Sequence, residues 1–324
     1  MSPNHEAIES GGVATLPNAP EATPTSTPAA MPAEHHPCVL FATNGSPEAN
    51  AALRFAAALA WRDGLLLRVL TVLEPLPAFP AQGSVAAYEI TIGMERAEGI
   101  LERVRADLAK FAAMQPALTS MLVGTPGTSI AEAARQWRAR YIILGAGKHG
   151  ALERMLTGDT VVRVLRHSAA PVIAVPAPAG TLPRTGIVAV DFGPASIAAA
   201  KHAATVIGSG ALHLVHVRPE VDVPATDPHA WAEVYESGAQ SLLKKLTDDL
   251  RTSHPDIRTD TTLVRGHPSK VLLDQAEEIG VDLIAVGQHG HGTVERFLFG
   301  SVAHAIVRSA KCAVLVAPPV EPAE

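Results

Sequence analysis

The strongest constraint on this chain is an internal repeat. Residues 142–145 (IILG) recur as residues 284–287 (IAVG), and residues 152–158 (LERMLTG) recur as residues 294–300 (VERFLFG). Both pairs are 142 residues apart, and the Gly-x-Pro turn that starts at Gly124 recurs at the same separation. Solenoid units span roughly 20–50 residues, so a period of this length is far too long for a solenoid. The chain therefore consists of two copies of a whole domain.

Each copy alternates short apolar segments with amphipathic ones. In the second copy the predicted strands are 186–190, 211–217, 261–264, 281–286 and 313–316. The predicted helices between them are 194–207, 231–250, 268–279 and 302–307. Apolar strands that alternate with helices indicate a parallel sheet covered on both faces. We therefore predict an α/β fold of two tandem doubly wound domains, each a mostly parallel five-stranded sheet flanked by helices.

Composition places the domain boundaries. Residues 1–36 carry prolines among Ala, Thr and Ser, with hardly any large apolar side chain. Such a segment cannot bury enough surface to offset its ordering entropy, so we expect a disordered tail. The first domain is predicted at 37–176, the linker at 177–183 and the second domain at 184–319.

Charge and hydropathy exclude several classes of protein. The formal charge is −6 and no Lys/Arg cluster occurs, which argues against nucleic acid as a partner. No run approaches the roughly 20 apolar residues of a membrane span, and the tail lacks the basic start and apolar run of a secretory signal. Two cysteines, Cys38 and Cys312, make no disulfide framework and fit small core residues. We expect a soluble protein of the reducing cytoplasm.

A glycine-rich stretch in the second copy has the spacing of an anion-binding loop. Gly287 and Gly290 follow the predicted strand 281–286, and the pair Gly300-Ser301 opens the predicted helix 302–307. Glycine lets the backbone approach a ligand closely, and free N–H groups at a helix start favour negative charge. The pattern G-x2-G-x9-G-S therefore predicts an anion site.

This spacing, together with Asp191 after the first strand of the copy, resembles the nucleotide-binding motif of the universal stress protein family. The resemblance extends over about residues 38–317 and implies an adenine nucleotide alpha hydrolase-like fold. In that family the Asp contacts adenosine, a second-strand Val lines the adenine, and the glycine loop with Gly-Ser holds ribose and phosphates. The resemblance implies that the second domain binds ATP, or ADP or AMP, with Mg²⁺ on the phosphates. The implied nucleotide-binding residues are Asp191, Phe192, Val217, Gly266, His267, Gly287, His289, Gly290, Gly300, Ser301 and Val302.

Each of these residues also has a purely structural interpretation. A glycine after a strand often forms only a turn, and a serine before a helix is often only an N-cap. His289 and His291 stand two residues apart, but no Cys or carboxylate accompanies them at ligand spacing. Phosphate contact or solvent exposure is favoured over a metal site, and no metal ligands are predicted.

The first copy departs from the motif at three positions. Asn44, Lys148 and Asp159 stand where the second copy has the Asp, the second Gly and the Ser of the motif. Asn keeps the shape of Asp but loses its carboxylate, and the Lys side chain would crowd a phosphate path. An Asp at a helix start places negative charge where a phosphate would lie. We interpret the first copy as a degenerate site that is retained for packing or regulation.

Two other nucleotide-binding motifs are excluded. A G-x-G-x-x-G sequence occurs at 145–150, but it follows the fourth strand of its copy and no acidic residue stands near 170–171. A dinucleotide fold needs the motif at its first strand with an acid about 20 residues later. The P-loop pattern G-x-x-x-x-G-K-[ST] is absent from the sequence.

No paired-carboxylate or triad spacing accompanies the glycine loop. The side chains near it that could take part in catalysis are those of His267, His289, His291 and Arg296. The sequence favours an adenine-nucleotide-binding regulatory protein of the stress response, and no catalytic residue is assigned. Two alternatives stay open: a slow ATP hydrolase of the related fold, and an interaction scaffold that binds no nucleotide.

Members of the family resemble one another in pairing through their last strands, here 172–175 and 313–316. An exposed apolar edge strand is a liability unless it is paired, and two copies in one chain can cover each other. The resemblance therefore implies an intramolecular pseudo-dimer, with a homodimer of chains as a further level of assembly.

Overall fold

Strands and helices alternate along both repeats, and the predicted α/β fold is confirmed. The computed structural model describes residues 36–74, 84–110, 117–147, 160–178, 180–218, 228–289 and 300–319. The first repeat contains β1 (Cys38–Ala42), α1 (Pro47–Arg62), β2 (Leu66–Leu73), α2 (Ser84–Ala109), β3 (Leu118–Val123), α3 (Pro126–Gln136), β4 (Ala139–Ala146), α4 (Thr160–His167) and β5 (Val172–Pro176). The second contains β6 (Thr185–Ala189), α5 (Pro194–Ile207), β7 (Gly210–Arg218), α6 (Pro228–Ser253), β8 (Ile257–Arg265), α7 (Pro268–Ile279), β9 (Leu283–Gly287), α8 (Ser301–Ser309) and β10 (Ala313–Ala317).

Prolines and glycines set several helix boundaries. Pro47, Pro194 and Pro268 each occupy the first turn of a helix, where the missing N–H has no intrahelical partner to lose. Gly280 ends α7 in the left-handed conformation, with φ 72° and ψ 45°, which glycine adopts without a Cβ penalty. These residues fix where each helix begins and ends relative to the strand beside it.

The ten strands form one sheet in the order β3-β2-β1-β4-β5-β10-β9-β6-β7-β8. Neighbouring strands are parallel within each repeat, whereas β5 and β10 are antiparallel, with Ala174 opposite Val314 and Val172 opposite Val316. The two five-stranded sheets are therefore continuous. Because the direction reverses at this junction, the carboxyl ends of the two sets of strands lie at opposite edges of the sheet.

Apolar side chains cover both faces of the sheet. One face packs against the alanine-rich helices α1 and α5, where Ala199, Ala200 and Ala203 are fully buried. The other face packs against helices that include α3, α4, α7 and α8, around side chains such as Ile142 and Ile284. Strands covered on both faces are apolar throughout, which explains the continuous apolar runs in the sequence.

Side chains also join the repeats away from the strand junction. Arg62 at the end of α1 donates hydrogen bonds to the carbonyls of Val206 (2.6 Å) and Thr205 (2.7 Å) at the end of α5. The hydroxyl of Tyr141 lies 3.3 Å from Nδ1 of His202. These contacts join α1 and β4 of the first repeat to α5 of the second.

Some predicted details differ from the structure. The strand predicted at 261–264 begins four residues earlier in β8, because the first part of this edge strand is a run of polar side chains without an apolar pattern. Cys38 is buried and Cys312 partly buried; both are free, and burial raises the pKa of each thiol to about 11.

The segment 1–35, most of the predicted tail, lies outside the described residues. Within the described ranges, no helix has the length and apolarity to cross a membrane.

Candidate functional site

The order of strands in the second repeat creates a switch point between β6 and β9. Strand β6 pairs with β7 on one side and with β9 on the other. The chain leaves these strands toward opposite faces of the sheet, so a crevice opens beyond their carboxyl ends. Asp191 follows β6 and Gly287 ends β9, which brings two predicted site residues to this point.

A tight turn connects β6 to α5. The carboxylate Oδ1 of Asp191 accepts a hydrogen bond from the N–H of Gly193 at 2.9 Å, and Phe192 between them has a positive φ of 65°. The backbone N–H of Asp191 donates to the hydroxyl of Ser196, which itself donates to the carbonyl of Gly193. Asp191 therefore has a structural role in the turn, and its carboxylate is held at the start of α5.

The first repeat forms the same turn with an amide. Oδ1 of Asn44 accepts from the N–H of Ser46 at 3.0 Å, and Gly45 between them has φ 77°. Asn44 thus reproduces the hydrogen bond of Asp191 without its negative charge. The shared geometry shows that this bond alone does not require a carboxylate.

Gly287 permits β9 to approach the start of α5. A Cβ atom at this position would lie 2.9 Å from the carbonyl carbon and Cβ of Ala195 and from the backbone nitrogen of Ser196. No ordinary side chain fits at that distance, so glycine is required by packing whether or not a ligand binds. The close approach brings the end of β9 against the first turn of a helix.

The two ends of the glycine loop meet. The N–H of Gly300 donates to the carbonyl of Gln288 at 2.9 Å, and Gly300 caps α8 without a side-chain hydrogen bond. Ser301 is exposed in the first turn of α8, so it is not the N-cap that its structural interpretation assumed. Val302 and His289 are half-buried. Gly290 lies outside the described residues, as do His291, Lys148, Asp159 and Arg296.

An aromatic stack that sequence reasoning did not identify supports the end of β7. His216 is 6% exposed, and its ring lies 4.5 Å from that of Phe192 and 5.9 Å from that of Tyr235, between centroids. Nδ1 of His216 is 2.6 Å from the carbonyl of Val190, and Nε2 is 2.7 Å from the hydroxyl of Tyr235. A carbonyl can only accept, so Nδ1 carries a proton, and in the neutral imidazole Nε2 then accepts from Tyr235. The stack holds Phe192 on one face of the sheet, whereas Val217, the next residue after His216 in β7, packs into the core on the other face and is 9% exposed.

The arginines that end β7 and β8 share a carboxylate on α6. Nη2 of Arg265 is 2.8 Å from Oε1 of Glu236, and Nη1 of Arg218 is 3.9 Å from the same oxygen. The hydrogen bond from Arg265 is the main reason why the pKa of Glu236 lies below its usual value. Two guanidinium groups thus share one carboxylate beside the end of β7.

Gly266 and His267 form the turn between β8 and α7. The N–H of Gly266, whose φ is 140°, donates to the carbonyl of Arg218, which ties the end of β8 to that of β7. His267 caps α7, and its Nδ1 lies 3.1 Å from the hydroxyl of Ser269. The His267 side chain therefore bonds within its own turn. Among the described residues, no hydrogen bond joins it to Asp191 or Gly287.

In the first repeat a side chain of α2 lies against the corresponding turn. A Cβ atom at Gly45, the counterpart of Phe192, would lie 2.8 Å from Cγ1 of Ile100 on α2. The cavity beside Gly45 has a volume of about 80 Å³ and is also lined by Thr43 and Arg103. Ile100 takes the place that the Phe192 side chain fills in the second repeat.

The sequence predicted turns and glycines at the carboxyl ends of β6 and β9, which we call the rim. It did not predict the side chains that pack beside them. The structure brings Asp191, Phe192, Gly287 and Gly300 to the ends of β6 and β9, whereas Gly266 bonds to the end of β7 and Val217 lies within β7. The pair His213 and His216 in an otherwise apolar strand was the available signal for the stack. Across the described ranges, no three His, Cys, Asp or Glu side chains gather as a metal-holding group.

The fold and the candidate site are those of a tandem doubly wound α/β protein. Comparison with known proteins shows the family to which it belongs. The chain matches the universal stress protein family over residues 38–176 and 184–318, once in each repeat. A universal stress protein of Mycolicibacterium smegmatis is 27% identical over 292 residues, which cover 87% of this chain and 97% of that protein. One of Mycobacterium tuberculosis is 25% identical over 304 residues, covering 86% and 94%.

Solved structures show the same fold. The crystal structure of a universal stress protein from Archaeoglobus fulgidus superposes with a TM-score of 0.61 at 21% identity, covering 87% of this chain and 96% of that one. Since the family matches most of the chain, the protein belongs to the universal stress protein family and carries two copies of its domain.

Proposed function

We propose that the second repeat binds an adenine nucleotide, ATP with Mg²⁺ or else ADP or AMP, and that the protein acts in the cytoplasm as a nucleotide-dependent regulator of the stress response. One observation carries this proposal. At the switch point, Gly287 lies against the first turn of α5, and Gly300 at the start of α8 bonds to Gln288. Two helix starts therefore flank the end of β9, and because Gly193 at the start of α5 already donates to Asp191, the start of α8 supplies the N–H groups for an anion.

The residues of this rim fit a nucleotide. We assign the adenine to Phe192, which stacks on His216, and to Val217 near the end of β7, and Asp191 offers a carboxylate acceptor for adenosine hydroxyls. We assign the phosphates to Gly287, Gly290, Gly300, Ser301 and Val302, with His289 beside them, and Gly266 and His267 to the border of the site. Mg²⁺ would neutralise charge on the phosphates, whose oxygens are its preferred ligands.

The first repeat supports a single nucleotide per chain. In this repeat Ile100 of α2 lies against the turn at Gly45. Lys148 and Asp159 replace the second glycine and the serine of the motif. We propose that this repeat instead completes an intramolecular pseudo-dimer through the β5–β10 pair, on which a homodimer of chains can be built.

Calorimetry with ATP and Mg²⁺ tests the proposal. We expect one nucleotide per chain. Gly290→Lys, which copies the first repeat, should abolish binding because its side chain fills space left for phosphate, and Ser301→Asp should do so by repulsion at the helix start. Lys148→Ala is the matched control in the first repeat and should leave the affinity unchanged.

The outcomes separate the alternatives. Two nucleotides per chain, or unchanged affinity in Gly290→Lys, would contradict the single site. Protein that binds no adenine nucleotide at millimolar concentration would be a scaffold. Turnover of ATP well above about 1 per second, a typical lower bound for enzymes, would indicate a hydrolase instead.

A further inference from the structure

A cavity of about 870 Å³ lies where the two repeats meet, at the amino ends of β6 and β9. Its walls are the second half of α1, residues 180–184, the end of α5, and Asp282 before β9. The proposed nucleotide rim is at the carboxyl ends of the same strands, so the two sites are separate. The volume falls in the range of roughly 300–1,000 Å³ that is typical of small-molecule pockets.

The floor of this junction cavity is apolar and its rim is aromatic. Ala57 and Ile207 are 2% and 4% exposed, and Pro183 is also buried. Trp61, in contrast, is 61% exposed. An indole left in water beside an apolar floor is a surface against which a planar group can pack with a gain in buried area.

Positive charge surrounds this apolar floor. Arg54 and Arg184 are exposed, and neither guanidinium forms an ion pair or hydrogen bond with another residue in the described ranges. The Arg54 guanidinium lies directly against the linker, because a Cβ on Gly180 would be only 2.7 Å from its Nε. This basic cavity stands out in a chain whose net charge is −6.

The other charged side chains that line the cavity, those of Arg62 and Asp282, already form an ion pair or hydrogen bonds. Arg62 pairs with Asp63 at 2.7 Å and donates to the two carbonyls at the end of α5. Oδ2 of Asp282 accepts hydrogen bonds from the N–H of Arg184 and from the N–H and hydroxyl of Thr185, at 2.9–3.1 Å. Because the donors to Asp282 are neutral it keeps its negative charge, but three arginines line the same cavity, and the guanidinium groups of Arg54 and Arg184 are left to meet an incoming anion.

We propose that the junction cavity binds a small organic anion that carries an aromatic ring. Its carboxylate, phosphate or sulfonate group pairs with Arg54 and Arg184, which present planar donors suited to such groups. Its ring packs between Trp61 and the floor formed by Ala57 and Ile207. A ligand held there contacts both repeats and the linker at once.

The probe for this site is 8-anilinonaphthalene-1-sulfonate, titrated by its fluorescence into the full chain. Its uncharged analogue N-phenyl-1-naphthylamine is the matched neutral ligand. Arg54→Gln combined with Arg184→Gln should weaken sulfonate binding at least tenfold and change binding of the neutral analogue less than twofold. Arg258→Gln, an exposed arginine on the edge strand β8, is the control and should change neither. The sulfonate affinity should also fall as salt is raised.

A second variant keeps the test decisive if the double arginine variant unfolds. Ala58 lines the cavity, and Ala58→Phe should weaken both probes by filling the space. Thermal melting verifies that each variant is folded. Sulfonate affinity that is unchanged in folded variants overturns the proposal, and so does displacement of the probe by saturating ATP, which would place it in the nucleotide site.

Discussion

The contact between His202 and Tyr141 predicts how acid weakens the protein. His202 lies on α5 of the second repeat, and its ring meets that of Tyr141 on β4 of the first repeat edge to face, 5.6 Å between centroids. Tyr141 is fully buried. Burial chiefly, and then the positive charge of Arg140, lower the pKa of His202 from 6.5 to about 4.

The lowered pKa of His202 determines how the free energy of unfolding changes with pH. The unfolded chain takes up a proton on His202 at a higher pH than the folded protein does. The contribution of neutral, buried His202 to the free energy of unfolding is therefore complete above pH 6.5 and is lost as the pH falls toward 4. Since one pKa unit corresponds to about 1.4 kcal/mol, the loss from this residue is about 2 kcal/mol at pH 5.

Urea denaturation at pH 7.5 and pH 5.0 measures the loss. The free energy of unfolding of wild type should fall by about 2 kcal/mol more than that of His202→Gln, which has no imidazole to titrate. Tyr141→Phe is the control: it removes the hydroxyl but leaves the ring that covers His202, so it should keep most of the acid sensitivity. If wild type and His202→Gln lose the same free energy, the burial argument is wrong.

Two glycine substitutions test packing at contrasting positions. Gly287→Ala should lower the free energy of unfolding by about 1–3 kcal/mol, because the new Cβ would meet the backbone of Ala195 and Ser196 at 2.9 Å. It should also weaken ATP binding measured by calorimetry, and a variant with wild-type melting and affinity would contradict the close approach. Gly238→Ala should raise the free energy of unfolding by about 0.5–1 kcal/mol, since Gly238 is exposed within α6 and a Cβ there meets nothing within 4 Å. A fall in the melting temperature would show that this glycine has a packing role.

The fold could be predicted largely from local signals. The starts of α5 and α7 were predicted at the correct residues because proline fixes the first turn. The buried strands were recognised by their apolar runs. The edge strand β8 was predicted too short because residues 258–260 are polar, and pairing with β7 rather than hydrophobicity extends the strand.

The candidate site, too, could be predicted from the sequence only in part. Gly287 could be found because close backbone approach limits the residue type. The stack of Phe192, His216 and Tyr235 could not, because Tyr235 comes from a long helix whose rotation against the sheet is set by packing. The junction cavity likewise depends on the end of α1 meeting residues 180–184, which no local pattern specifies.

The antiparallel pair of β5 and β10 has a consequence for synthesis on the ribosome. Ala174 and Val314 pair although 140 residues separate them, so β5 emerges as an open edge long before its partner exists. At roughly 5–20 residues per second, that edge stays uncovered for about 7–28 seconds. Two nascent chains that meet in this interval can exchange second repeats in the same register, forming a swapped dimer. The linker 177–183 acts against the exchange, because so short a tether holds β10 of the same chain at a high effective concentration near β5.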